Sequence, residues 1–368
     1  MQRQGQGRRR KTAAAVAVLL ALTGHAQAAF AYGEEVAGFP NWEERVLLQW
    51  TNRARVDPQL EMTACGANCG EHACYAPIAP LPHRDALAHA ARYHAAEMTR
   101  QGFFAHDSAC NLVSDIASTY PGSCDGSASC ACVGGVQACP CTTWDARIQL
   151  FGIPARGEII VSTTDPNQSF YLWLDEPSSD PACTFSETNG HRFNLLKQTG
   201  SLGFGVDGRS VGDFSSTVAP PRIPSGSHYP RQPGPSATVE VWANWFDAAA
   251  PQSAAVNVDG ICTPLTLTRG TGQNGAWRAP LPLLSSACHR YFFQFVDSSN
   301  HLVTYPDTGS LGIGPTATCP AFTPTRPTIC AATTSTSVPA FTSPITPIAL
   351  ALALALAGGG LLTRRRRA

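Results

Sequence analysis

Fourteen cysteines in a chain of 368 residues constrain this fold more than any other feature. The count is even, and ten of the fourteen fall between Cys65 and Cys183. Cysteines at that density pair as disulfides in an oxidising compartment, so the destination of the chain decides how they are read. The N-terminus indicates that destination. Arg8-Arg9-Arg10-Lys11 is a basic stretch, 13–22 an apolar one, and Ala26-Gln27-Ala28 or Ala29-Phe30-Ala31 a small-x-small cleavage site. Together they mark 1–31 as an export signal, and the cysteines as disulfide partners.

At the other end, 347–368 combines an apolar stretch over 348–362 with Arg364-Arg365-Arg366-Arg367. The stretch is shorter than the roughly 20 residues that span a bilayer unaided. With the N-terminus exported, the arginines stay on the cytoplasmic side, which predicts a stop-transfer or sorting segment and membrane contact through the tail. The tail resembles the C-terminal sorting tails of bacterial surface proteins. No Leu-Pro-x-Thr-Gly box precedes it, so a plain membrane anchor is the other reading. The expected location is the cell surface or outer envelope, with release where the tail is processed. Residues 320–346, rich in Thr, Pro and Ser, are expected to be a spacer with too little apolar content for a core.

Lys plus Arg and Asp plus Glu each number 26, so the net charge is zero and gives no electrostatic reason to expect a nucleic-acid partner. The length leaves room for two domains, drawn here at 39–250 and 252–316.

In the first, Trp42, Val46, Leu47, Trp50 and Ala54 recur at helical spacing over 41–55, and Asp57-Pro58 ends the pattern. A second helix is expected over 84–101, closed by Gly102, with His94 as a packed side chain on its inner face. Residues 107–143 form a Cys-, Gly- and Ser-rich insertion. Its Cys130-x-Cys132 and Cys139-x-Cys141 pairs are closer than the usual zinc spacing and are read as disulfides. Residues 144–150 look helical and 158–163 strand-like. Asp165-Pro166 caps a further helix that stops at Glu176-Pro177.

Glu176 therefore sits at the negative end of its helix, a disfavoured place for a carboxylate that hints at a nearby cation. Residues 201–207 and 239–246 read as strands around a Pro- and Ser-rich loop at 215–236. Gly203-Phe204-Gly205-Val206-Asp207-Gly208 formally matches G-x-G-x-x-G, but Arg209-Ser210-Val211-Gly212 opens no helix, which argues against a nucleotide site. Short strands near 255–258, 265–267, 277–279, 291–295 and 301–305 predict a small β-sandwich-like module, with Cys262 and Cys288 as its staple.

Four residues carry chemistry: His106, Glu158, Glu176 and His191. His191 stands at a helix start, Gly190-His191-Arg192-Phe193-Asn194-Leu195-Leu196, where the positive end of the dipole disfavours imidazolium. That leaves a nitrogen able to bind a metal or accept a proton, although a lone histidine there reads equally as a cap or a packed side chain.

The surrounding blocks, in order, are Thr51-Asn52-Arg53-Ala54-Arg55, Phe103-Phe104-Ala105-His106, Gly157-Glu158-Ile159-Ile160, Trp173-Leu174-Asp175-Glu176, and Gly190 to Leu196 leading into Gly203-Phe204-Gly205-Val206. Over 41–247 they resemble the CAP superfamily, the SCP or PR-1-like domains of bacterial exported proteins. That resemblance implies an α+β fold, an α-β-α sandwich, here followed by the small all-β sandwich-like domain. It also implies a cleft lined by His106, Glu158, Glu176 and His191. The Gly-Glu-Asn box usual in the family reads Gly157-Glu158-Ile159, and the Cys-rich insertion after His106 is a second departure.

Two imidazoles, His106 and His191, can hold a divalent metal, zinc foremost, while Glu158 and Glu176 orient them or act as base. There is no G-x-S-x-G or H-E-x-x-H to name a nucleophile or a peptidase. Three functions stay open: a cleft that binds a metal or a small, lipidic or envelope ligand; a metal-assisted hydrolase of peptide or envelope polymer; and a non-catalytic adhesive module.

Overall fold

A computed structural model describes residues 32–68, 70–108, 143–178, 184–233, 238–281 and 287–330. The expected export signal, both Cys-x-Cys pairs and the apolar tail lie outside the described residues. The chain divides into two units, 1–328 and 329–368, and the elements below all belong to the first.

The first helix, α1 (Trp42–Val56), starts at a capping box in which Asn41 accepts the Glu44 amide and Glu44 accepts the Asn41 amide. Asp57 then caps a short α2 (Pro58–Glu61), so the Asp-Pro pair that ends one helix begins the next. The second long helix, α3 (Asp85–Gln101), closes on Gly102 at φ 70°, a left-handed position that glycine takes without strain. His94 on α3 is fully buried, with Nε2 against the Ala105 carbonyl and Nδ1 against Glu97. Three shorter helices follow: α4 (Trp144–Leu150), α5 (Pro166–Leu174) and α6 (Gly190–Leu196).

These helices surround an antiparallel sheet ordered β1 (Gly157–Val161), β3 (Ser210–Ser215), β2 (Ser201–Val206). Its two faces are built differently. Gly203 and Gly205 put bare backbone against α3; a Cβ on Gly203 would lie 2.1 Å from the Ala88 nitrogen, and one on Gly205 1.9 Å from that of Arg92. Ile160 and Val211 pack on the same side with Ala91, Ala95 and Met98. Leu202, Phe204 and Ile159 face the other way, into a core shared with α1, α5 and α6. The two glycines of the G-x-G match thus serve a close sheet-to-helix approach, and the segment after them is strand β3.

Two further antiparallel sheets pack face to face. One is ordered β4 (Gly226–Tyr229), β5 (Val239–Phe246), β9 (Asn274–Leu281), β8 (Thr266–Gly270). The second runs β13 (Phe322–Thr323), β12 (Ser310–Ile313), β10 (His289–Val296), β6 (Ser253–Val258), β7 (Ile261–Pro264), and β11 (Leu302–Tyr305) also pairs with β10. Val241, Trp245, Val256, Phe293 and Phe295 fill the space between them. Among the described residues the chain is thus a mixed α+β protein with six α-helices and three antiparallel sheets.

Three expectations change. The loop expected at 215–236 contains strand β4. The boundary drawn at 250–252 is crossed by pairing, because β5 is hydrogen-bonded to β9 along all of Val239–Phe246. The staple is Cys288–Cys319, with Cα atoms 5.0 Å apart, and not Cys262–Cys288. Cys262 lies on β7, and β6 separates β7 from β10. Two strand spacings, about 10 Å, exceed the reach of a disulfide. Cys262 is disulfide-bonded elsewhere.

Helix α1 joins the two halves. Only Glu43 among its residues is not buried. One side meets the core around Phe204; the other meets β4, β5 and β9, where Trp42 stacks on Tyr229 and Trp50 packs edge-on to Trp242. Two arginines that this double burial encloses are paired. Arg55 donates to the carbonyls of Ala79, Leu195 and Gln198, and Arg53 makes a two-armed bond to Glu61 while lying 3.9 Å over the Trp50 ring.

Candidate functional site

His106 follows α3 by a short irregular turn, and its side chain is 47 % exposed. Nδ1 meets Glu158 Oε1 at 2.9 Å. Glu158 is the second residue of β1, with its side chain turned inward and only 1 % exposed. The other carboxylate oxygen of Glu158 accepts from the Arg147 guanidinium, itself fully buried on α4. Burial raises the Glu158 carboxyl, but Arg147, His94 and the His106 hydrogen bond together outweigh it and hold it below the ordinary carboxylate range. Arg147 also donates to the His106 carbonyl and to Ser108 Oγ, so one guanidinium fixes both members of the pair.

The second pair is built the same way from different elements. His191 is the second residue of α6, and its Nδ1 lies 2.8 Å from Glu176 Oε2. Glu176 Oε1 accepts the backbone N–H of Arg192 at 2.7 Å. The carboxylate that is misplaced at the end of α5 therefore rests on the positive start of α6, which supplies the partner its position called for. Arg192 is fully buried behind this pair. It bonds to Glu71 and donates to the carbonyls of Leu174 and Glu176, closing the end of α5 and setting where Glu176 emerges.

All four candidates, His106, Glu158, Glu176 and His191, line one cleft of about 760 Å³, together with Trp144, Phe185 and Phe193 and a polar rim. That volume is within the range of about 300–1,000 Å³ typical of ligand sites. Each imidazole spends Nδ1 on a carboxylate and leaves Nε2 for a ligand. Both carboxylates have their second oxygen engaged, which suits them to orient imidazoles more than to coordinate an ion themselves. Two free imidazole nitrogens are by their chemistry ligands for a divalent ion, which water or a ligand would complete. Among the described residues no group of three His, Cys, Asp or Glu side chains is placed to hold an ion.

Three residues around the site escape a sequence reading: Arg147, Arg192 and Asp213. The arginines had a signal, since each interrupts a short apolar helix beside Ile148 or Leu195 and Leu196, and an arginine there must be paired. Asp213, opposite Glu158 in the β1–β3 register and fully buried, had none, because β3 itself is not apparent in its composition.

Among the described residues no helix is long and apolar enough to cross a membrane. Neither the scan against protein-family models nor the search of curated proteins finds a match to this chain.

Proposed function

We propose that this is an exported, surface-attached protein of CAP-superfamily type whose His/Glu cleft binds a divalent metal or a small ligand without turnover. The observation that carries this reading is the pair of His–carboxylate units, His106–Glu158 and His191–Glu176, on one cleft. The helices on both faces of the small sheet support the α-β-α reading, and the bonded cysteines suit an oxidising compartment. Zinc would be held by His106 and His191 and would there polarise a ligand oxygen. Glu158 and Glu176 fix the imidazole orientations. The tail anchors the protein to the envelope.

Titration calorimetry with zinc tests the site. The chain is expected to bind, and His106→Ala or His191→Ala to weaken binding by at least about tenfold. Equal, weak binding by all three would overturn the assignment. Deleting 348–368 is expected to release the protein into the medium; retention on the envelope would show that the tail is not the anchor.

A metal-assisted hydrolase is the second reading, favoured by the exposed His106 ring oriented by a buried, ionised Glu158, which is a base-and-orienter arrangement. Its test is product formation from a peptide library or purified cell wall, abolished by Glu158→Gln.

A further inference from the structure

We propose that the ligand of this cleft is a neutral glycan strand. The inference rests on the reading above that the cleft is the functional site, and it follows from what lines the cleft and what does not. Among the described residues no Leu, Ile, Val or Met contributes to the wall. The apolar surface the cleft does offer is aromatic, from Trp144, Phe185 and Phe193, and such rings take the flat C–H face of a sugar.

An extended peptide would gain most by adding a strand to a sheet edge. The sheet edge at this cleft is β1, and it is closed: Glu158, Ile159 and Ile160 are all buried.

The wall instead carries rings and planar polar groups. Phe185 is 62 % exposed, and its ring is held edge-on by Phe193 at 5.7 Å with Gly190 beneath it. Trp144 supplies a second aromatic wall. Around them stand Arg156, Glu187 and Gln198; the two charged ends are exposed and in no ion pair among the described residues, and their charges cancel.

A pyranose ring has the matching chemistry. Its C–H face is apolar and stacks on an aromatic ring, while its equatorial hydroxyls both donate and accept, as guanidinium, carboxylate and carboxamide groups require. Cancelling rim charges suit a neutral sugar better than a sulfated or uronic one.

The test uses calorimetry on the full chain with four probes: chitohexaose, cellohexaose, a capped neutral decapeptide and phosphatidylcholine vesicles. Saturable binding of at least one hexasaccharide is expected, weakened about tenfold by Phe185→Ala or Trp144→Ala. Phe104→Ala, which removes a comparably exposed ring that does not line the cleft, is expected to change nothing. The proposal is overturned if neither sugar saturates, if Phe185→Ala binds like the unaltered chain, or if peptide or vesicles bind more tightly. A zinc arm keeps the two readings apart. Zinc binding that depends on His106 but survives Phe185→Ala, with no sugar bound, sinks the glycan proposal alone, whereas loss of both sinks the site.

Discussion

Glu158 and Asp213 stand directly opposite each other across β1 and β3, both buried, and Arg147 donates to Glu158 while, among the described residues, no donor reaches either oxygen of Asp213. Two carboxyls and one guanidinium in a dry space cannot all be charged at low cost. Burial and the adjacent Glu158 carboxylate push Asp213 well above the ordinary value, so Asp213 keeps its proton and Glu158 keeps its charge.

Replacing Asp213 with Asn, a neutral isostere, is expected to stabilise the protein at alkaline pH. The unfolded carboxyl ionises near 3.8 while the folded one holds its proton, so stability from this group is lost as pH rises above that value. Thermal melts should show Asp213→Asn ahead by roughly 1–3 kcal/mol near pH 8, with the advantage shrinking towards about pH 4.

Arg147→Met leaves Glu158 buried without its cation and removes the donor to the His106 carbonyl. Urea unfolding is expected to show a loss of roughly 3–5 kcal/mol, the usual effect of breaking a buried pair from one side. Zinc affinity is expected to fall with it, because His106 loses both its orienting partner and its backbone tether.

Gly205→Ala places a methyl group 1.9 Å from the Arg92 backbone nitrogen, and neither a strand nor a helix can give way by that much. A drop of roughly 2–4 kcal/mol in urea-derived stability is expected. An unchanged urea midpoint would mean that α3 does not lie against β2 as described.

His228 predicts acid sensitivity in the sandwich. Nε2 meets the Arg231 carbonyl at 3.1 Å, so it carries the hydrogen, and Nδ1 accepts from the Tyr291 hydroxyl at 2.8 Å. Burial holds the imidazole down to about 3, against 6.5 for an ordinary one. Between those values the unfolded chain binds a proton that the folded chain refuses, so stability falls as pH drops from about 6.5. Urea unfolding between about pH 7 and pH 5 should show a steeper loss in the unaltered chain than in His228→Gln.

The elements most legible in the sequence were those whose reason is local. Apolar spacing marked α1 and α3, Gly102 and Asp165-Pro166 marked helix ends, and alternation marked β5. The four cleft residues stood out by local position: His106 just after α3, Glu158 after Gly157, Glu176 three residues beyond Trp173, and His191 at a helix start.

What lay hidden depends on partners distant in the chain. Strand β3 reads Ser-Val-Gly-Asp-Phe-Ser, and only its place between β1 and β2 makes it a strand. The Cys288–Cys319 bridge depends on sheet order, which no spacing of cysteines reveals. Arg147 and Arg192 acquire their roles only once the elements behind the cleft have come together.

The double burial of α1 has a consequence for anyone who would cut this protein into parts. Ending the chain near residue 250 would leave β5 without β9 and take β9 and β8 away from α1; starting there would strip the sandwich of β4 and β5. Neither fragment would carry a closed core, so expression, transplantation or display of any part has to carry residues 32–328 together as one cargo.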